Sequence, residues 1–179
     1  MVGGPPIRIV VNSEPLAHAA GGDTSVAIMS LETHTASRVI LATPRAIFRA
    51  FVDPEVLANW RVPAGMSACL SNFDPRIGGG YRMTLTRVAD AKGRTEAKRY
   101  VVSVRFLELL PDEAIVEAVA FVGDDPALQG AMTLTTALRP VADGTRISVT
   151  VENVPSGITE ADPRQRMQAA LKNLAALLE

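Results

Sequence analysis

The chain has 179 residues, of which 47% are hydrophobic and 21% charged, and its net charge at pH 7 is −1. This length and balance predict one globular domain with a sizeable core. The near-zero charge, with Lys and Arg spread along the chain, gives no electrostatic reason to expect nucleic acid or a membrane surface as partner. The single cysteine, Cys69, cannot form an internal disulfide, which favours a cytoplasmic location.

Residues 1–35 differ in composition from the rest of the chain. They are rich in Gly, Pro, Ala and Ser and hold one short apolar run, Ile7 to Val11. No basic start leads into an apolar stretch of signal-peptide length, so we expect no secretion signal. We interpret 1–35 as a poorly ordered leader or as a start-site artefact, with Met29 as the true start. The alternative is an extra strand at Ile7 to Val11.

The segment from Thr43 to Trp60 predicts two short helices in tandem. Thr43 and Asp53 are each followed by proline, and a capping side chain before a proline is typical of a helix start. A strand over Arg38 to Leu41 leads into this pair. The apolar residues recur at helical spacing and predict one buried side, at Ile47, Phe48, Phe51, Val52, Leu57 and Trp60.

Alternating residues and turn signals after the helix pair predict an antiparallel sheet. The bare glycines Gly78-Gly79-Gly80 lack the Lys-Ser/Thr of a phosphate loop, so we interpret them as a bend entering a strand. Asp90 to Gly93 predicts a turn, and Asp143-Gly144 is a strong hairpin signal. The predicted strands are Ser67–Phe73, Tyr81–Thr86, Lys98–Leu109, Ala114–Val122, Met132–Arg139 and Thr145–Val151.

The last segment predicts a long amphipathic helix. Asp162 is the expected cap, Pro163 takes the first position and Gln165 completes a capping-box pattern. The predicted apolar face comprises Met167, Ala170, Leu171, Leu174, Leu177 and Leu178.

These elements predict an α+β domain over residues 36–179. A curved antiparallel sheet of six to seven strands would bury its apolar side against the last helix, which lies across the concave face. A curved sheet stands away from a straight helix, so the interior is either filled by large side chains or left as a ligand cavity. Aromatic residues make up only 4% of the chain, which favours the cavity.

Five local motifs follow one another along the chain: Thr43–Phe51, Asp53–Trp60, Phe73–Tyr81, Leu107–Glu113 and Gly144–Thr150. Together and in this order they resemble the START-like (SRPBCC) helix-grip superfamily. Within it, the chain is most similar to the bacterial type of the activator of heat-shock-protein-90 ATPase homologue family. The resemblance implies a helix-grip fold and no fixed set of catalytic residues, and it covers about residues 36–179.

Two departures from the family pattern would change the cavity wall. Where the family often has a second tryptophan and Gly-Pro after the helix pair, this chain reads Trp60-Arg61-Val62-Pro63-Ala64-Gly65. Where the family often has a tryptophan early in the last helix, this chain has Met167, a smaller and flexible side chain that suits a variable apolar guest.

Few side chains suggest chemistry. His18 and His34 lie in or near the leader and Cys69 stands alone, so we expect no metal, no cofactor and a buried, inert Cys69. Glu117 lies within an apolar run, and we favour the outer face for it, where strand charges usually lie. On the inner face it would be a desolvated carboxylate with a raised pKa, able to act with Tyr81 or Tyr100 as acid, base or ligand anchor.

The leading hypothesis is a binding protein that holds a small apolar or amphipathic molecule between the sheet and the last helix. A cyclase- or dehydratase-like enzyme that uses Glu117 and a tyrosine is the second hypothesis, and the resemblance implies a third, a co-chaperone with a protein partner. A homodimer stays open. The residues expected to line the cavity are Trp60, Phe73, Tyr81, Met83, Tyr100, Phe106, Met132, Met167 and Leu171.

Overall fold

The structure is a computed structural model that describes residues 33–88, 99–158 and 163–179. Residues 1–32 of the leader, the Asp90 to Gly93 turn and the cap at Asp162 lie outside the described residues, whereas His34 and Thr35 are part of the first strand. In chain order the elements are β1 (His34–Ile40), α1 (Pro44–Val52), α2 (Pro54–Trp60), β2 (Met66–Ser71), β3 (Gly80–Arg87), β4 (Arg99–Leu110), β5 (Ala114–Val122), a single 3-10 turn (Pro126–Leu128), β6 (Ala131–Val141), β7 (Gly144–Glu152) and α3 (Pro163–Leu178).

The seven strands form one curved antiparallel sheet in the order β1-β7-β6-β5-β4-β3-β2. β1 pairs with β7, so the first strand and β2 are the two edges, and β5 lies in the middle. α3 packs beside β1 and also contacts α1 and α2. The α+β helix-grip architecture that the sequence predicts is confirmed. None of the helices in the described ranges combines the length and apolar character that crossing a bilayer would need.

Both predicted helix caps are confirmed by their hydrogen bonds. The Thr43 hydroxyl accepts a bond from the Ala46 amide at 3.2 Å. The Asp53 carboxylate accepts bonds from the Glu55 and Val56 amides at 3.0 and 3.3 Å, and therefore ends α1 and starts α2 in one residue. This sharp corner fixes the direction in which the end of α2 points.

The apolar face of α3 differs from the prediction at one residue. Met167, Leu171 and Leu174 are buried as expected, but Leu177 is 46% exposed. Each residue turns the helix by about 100°, so Leu177 lies well round the helix from Leu178, which packs against the core. The buried face of α3 is therefore narrower than the apolar face that the sequence predicts.

The expectation that Cys69 is buried was wrong. On β2 the half-buried residues are Met66, Ala68 and Leu70, and Cys69 points to the opposite, exposed side. Cys69 and Phe73 are four positions apart, so in an unbroken strand their side chains would point to the same side of the sheet. Asn72 adopts a left-handed conformation with φ of 54° and interrupts this alternation. Phe73 therefore turns inward while Cys69 does not.

The three glycines form the bend that the sequence predicts. Gly78 has φ of +83°, and its amide donates to the Phe106 carbonyl at 2.8 Å, while the Phe106 amide donates to the Gly79 carbonyl at 2.9 Å. A Cβ at Gly80 would collide with the Val104 carbonyl, so only glycine fits there. This close approach holds the start of β3 against the middle of β4.

Candidate functional site

Glu117 lies on the inner face of the sheet, so the preference for the outer face was wrong. Along β5 the buried residues are Ile115, Glu117 and Val119, and Glu117 is only 1% exposed. Its register partners are Phe106 on β4 and Leu134 on β6. A carboxylate therefore stands at the centre of the concave, apolar side of the sheet.

Arg61 is the partner that makes this burial possible. Its Nη1 and Nη2 donate to the two Glu117 carboxylate oxygens at 2.7 and 2.8 Å, a bidentate ion pair. The Arg61 side chain is 15% exposed, so the ion pair is largely but not completely shielded from water. A paired geometry with two parallel bonds is the strong form of arginine–carboxylate contact.

The end of α2 positions Arg61. Trp60 is 4% exposed, and its indole Nε1 donates to the Ala50 carbonyl at 3.0 Å, which ties α2 to α1. Arg61 caps α2, with its amide bonded to the Leu57 carbonyl at 3.2 Å. From α3, the side-chain amide of Asn173 donates to the Trp60 carbonyl at 3.3 Å. Three helices thus fix the backbone from which the guanidinium reaches the sheet.

Tyr81 completes a polar cluster with Arg61 and Glu117. Its hydroxyl donates to a Glu117 oxygen at 3.4 Å, a long bond. Burial raises the pKa of the Tyr81 hydroxyl above its ordinary value; the positive charge of Arg61 opposes this shift and Glu117 adds to it. Desolvation lowers the pKa of Arg61, but the charge of Glu117, with a smaller contribution from Tyr81, raises it by more, so the net shift is upward.

Aromatic rings surround this polar cluster. Phe73 stacks on Tyr81 with ring centroids 5.6 Å apart, and Phe106 lies 5.9 Å from Tyr81 and 6.3 Å from Phe73. On the other side, the Arg61 guanidinium carbon lies 5.8 Å from the centroid of the Trp60 ring. The cation and the carboxylate are therefore surrounded by apolar side chains. In this environment of low polarity their attraction is stronger, and less water reaches them.

The remaining predicted cavity residues fall into two groups. Met83, Met167 and Leu171 are buried in the core, whereas Tyr100 and Met132 are half-buried. Tyr100 lies six positions before Phe106 on β4, about 20 Å along the strand, so it is remote from Glu117. Of the two tyrosines proposed to act with Glu117, the structure brings only Tyr81 to it.

Two surface clefts of the described residues lie away from the polar cluster, and neither is lined by Arg61, Tyr81 or Glu117. One, of about 280 Å³, includes Tyr100 and Phe121 on the inner side of β4 and β5. The other, of about 380 Å³, lies outside the sheet at Leu41 to Pro44 and the Asp143-Gly144 turn. Tyr100 is the only predicted cavity residue on the described lining of either cleft.

Arg61 is the member of the polar cluster that sequence reasoning missed. It follows the last helical turn, where no apolar period indicates the direction of a side chain. Its sequence signal is the departure at Trp60-Arg61, where the family often has a second tryptophan. A signal for Glu117 was also present, since the bulky residues Ile115, Val119 and Phe121 share its parity.

Comparison with known proteins agrees with this fold. The family model described as "Activator of Hsp90 ATPase homolog 1-like protein" matches residues 41–179. A crystal structure of a Chromobacterium violaceum protein is similar at 32% identity and TM-score 0.71, covering 83% of this chain and 98% of that one. A Rhizobium loti protein is similar at 28% identity and TM-score 0.62, covering 81% and 95%. No curated protein matches the chain. The chain belongs to the Activator of Hsp90 ATPase homolog 1-like family.

Proposed function

We propose that the protein binds a small apolar or amphipathic molecule on the concave side of the sheet, with Arg61, Glu117 and Tyr81 as the polar centre of the site. The observation that carries this proposal is the bidentate Arg61–Glu117 ion pair in an apolar interior. The surrounding aromatic rings would contact the apolar part of the molecule.

The energetics of buried ion pairs support a functional role. Removing two charges from water costs several kcal/mol per ion, and replacing such a pair by apolar residues is often neutral or stabilising by about 1–4 kcal/mol. Glu117 is almost fully buried, and its strand neighbours Ile115 and Val119 are aliphatic. Apolar residues at both positions, 61 and 117, would satisfy the fold, so recognition of a ligand is our explanation for the charged pair.

The inner surface that runs from the cluster towards Tyr100 offers an apolar lining. Several inward-facing residues pack against the core but keep part of their surface accessible, namely Leu85, Phe121, Met132 and Leu134. Leu134 is the register partner of Glu117, and Met132 is the partner of Val119. Partly accessible apolar residues beside a few convergent polar groups are typical of small-molecule sites.

Titration with Nile red, an uncharged apolar fluorophore, tests the proposal. We expect saturable binding with a blue-shifted emission, weakened at least tenfold by Leu134→Trp, whose ring would occupy the space beside Glu117. Thr133→Trp is the matched control, because Thr133 precedes Leu134 on β6 and faces the other side. Equal binding by both variants, or no saturable binding by the parent protein, would contradict the proposal.

An enzyme is the second candidate, and one observation favours it. Glu117 is inward, and the Tyr81 hydroxyl lies within reach of it, as a cyclase- or dehydratase-like acid and base pair requires. Both Glu117 oxygens already accept bonds from Arg61, which favours a binding role over proton transfer. The enzyme would become the first candidate if the protein converts a bound substrate and if Tyr81→Phe abolishes that conversion without weakening substrate binding.

A co-chaperone role is the third candidate. The family description names the activation of a chaperone ATPase. No feature of the described residues points to a chaperone partner, and the polar cluster lies inside the fold instead of on a broad surface.

A further inference from the structure

We infer that the ligand carries an uncharged head group with a hydrogen-bond acceptor, such as the carbonyl oxygen of a primary amide. This inference rests on the proposed binding function and adds the chemical class of the head group. It follows from the charge balance of the polar cluster and from the bonding capacity that its three side chains retain.

The charges of the cluster cancel. Glu117 is the one charged side chain that is buried with the core among the described residues, and Arg61 pairs with it. Tyr81 is neutral near pH 7, because the ordinary pKa of tyrosine is about 10, and burial raises the pKa of Tyr81 further. The site therefore holds one positive and one negative charge and gives no net attraction to an ionic head group.

A charged head group would disturb this balance. A carboxylate could take the bidentate position on Arg61 only by displacing Glu117, which would then be a buried carboxylate without its ion-pair partner. An ammonium group would likewise compete with Arg61 for Glu117. Breaking a buried pair in this way is costly because it leaves an uncompensated charge in a region of low polarity. Both ionic classes are therefore disfavoured.

An uncharged polar group can add to the cluster without breaking it. Arginine has five N–H donors, and the pair with Glu117 uses one on each of Nη1 and Nη2. A carboxylate has about four acceptor positions, and Glu117 receives two bonds from Arg61 and one from Tyr81. Glu117 is only 1% exposed and Arg61 is 15% exposed, so a head group would bond mainly to the remaining Arg61 donors, which match a carbonyl oxygen.

The test compares three probes that share an apolar chain and differ in the head group: decanamide, decanoate and decylamine. Near pH 7 these are neutral, anionic and cationic, and each is titrated calorimetrically below the concentration at which it aggregates. We expect the parent protein to bind decanamide at least tenfold more tightly than either charged probe. Equal or tighter binding of decanoate or decylamine would overturn the inference, and this result needs no variant.

Glu117→Gln provides a second, directional test. This substitution leaves Arg61 as an unbalanced cation, so decanoate should gain at least tenfold relative to decanamide. Glu108→Gln is the matched control, because Glu108 is an exposed carboxylate on β4, and it should keep the parental order. A folded Glu117→Gln variant with unchanged relative affinities would also overturn the inference.

The two levels of the proposal fail in different ways. If the parent protein binds Nile red but prefers an ionic probe, the binding function stands and the head-group assignment is wrong. If it binds neither Nile red nor any of the three probes, the binding function is wrong and the head-group assignment falls with it.

Discussion

Arg61 and Glu117, 56 positions apart in the sequence, meet through two parallel hydrogen bonds of 2.7 and 2.8 Å. One residue ends the helix pair and the other lies in the middle of the sheet. The ion pair therefore joins the two layers of the fold at the point where the inner surface is otherwise apolar. Its chemistry, more than the fold, distinguishes this site from a plain hydrophobic core.

Trp60 should prove to be the anchor of the helix pair. Its indole ring is buried, bonds to the Ala50 carbonyl and packs edge-on against Phe51 with ring centroids 4.8 Å apart. We expect Trp60→Ala to lower the free energy of unfolding by about 3–5 kcal/mol. Chemical denaturation measures the loss. The parent emission should be blue-shifted, and emission like that of free indole in water would contradict this placement.

Much of the fold could be predicted from the sequence because its signals are local. A cap followed by proline places each helix start at Thr43 and Asp53, and alternation with turn residues places the strands. The errors arose where one residue breaks a period. Asn72 reverses the alternation before Phe73, and the end of α3 exposes Leu177.

The site could be predicted only in part. Tyr81 was assigned to the inner wall from strand parity, which needs no tertiary information. The face of Glu117 depends on a partner, because a buried carboxylate is tolerated only beside a cation. That partner, Arg61, lies after a helix end, where the direction of a side chain is set by the packing of Trp60 and α3. No short-range pattern carries this information.

Met167→Trp tests whether the ligand extends towards α3. Met167 is buried on the face of α3 that packs against the core. We expect the variant to stay folded and to bind Nile red more weakly, because the ring would fill space that the ligand uses. Leu177→Trp on the exposed side of the same helix is the matched control and should bind as the parent does.

The opposite outcome would place the ligand elsewhere. Overpacking a filled core typically costs about 1–3 kcal/mol. If Met167→Trp loses that much stability while Nile red binding stays unchanged, no usable space exists at Met167. The ligand would then be confined to the side of the sheet near Leu134.

Tyr81 should give stability a dependence on alkaline pH. Its native pKa is raised above the unfolded value of about 10, chiefly by burial. As pH rises past about 10, the unfolded state releases this proton before the native state, so the stability present below that pH is lost at up to about 1.4 kcal/mol per pH unit. Tyr81→Phe should decline less steeply in denaturation curves above pH 10. Parallel declines would contradict the buried, neutral Tyr81.

The Arg61–Glu117 pair itself is best tested by removing one side or both. Glu117→Leu alone leaves a buried guanidinium without its partner and should cost about 3–5 kcal/mol. Arg61→Met alone should be similarly harmful, because Glu117 then stays buried and unpaired. Chemical denaturation compares both variants with Glu108→Gln, which removes an exposed carboxylate and should change stability by less than about 0.5 kcal/mol.

The double variant Arg61→Met/Glu117→Leu separates function from structure most directly, when its free energy of unfolding and its affinity for decanamide are measured on the same protein. If the pair serves ligand recognition, the double variant should be as stable as the parent or up to about 4 kcal/mol more stable. It should bind decanamide at least tenfold more weakly. A double variant that loses several kcal/mol of stability yet binds decanamide like the parent would show that the pair is a structural link between helix and sheet, and would contradict the account.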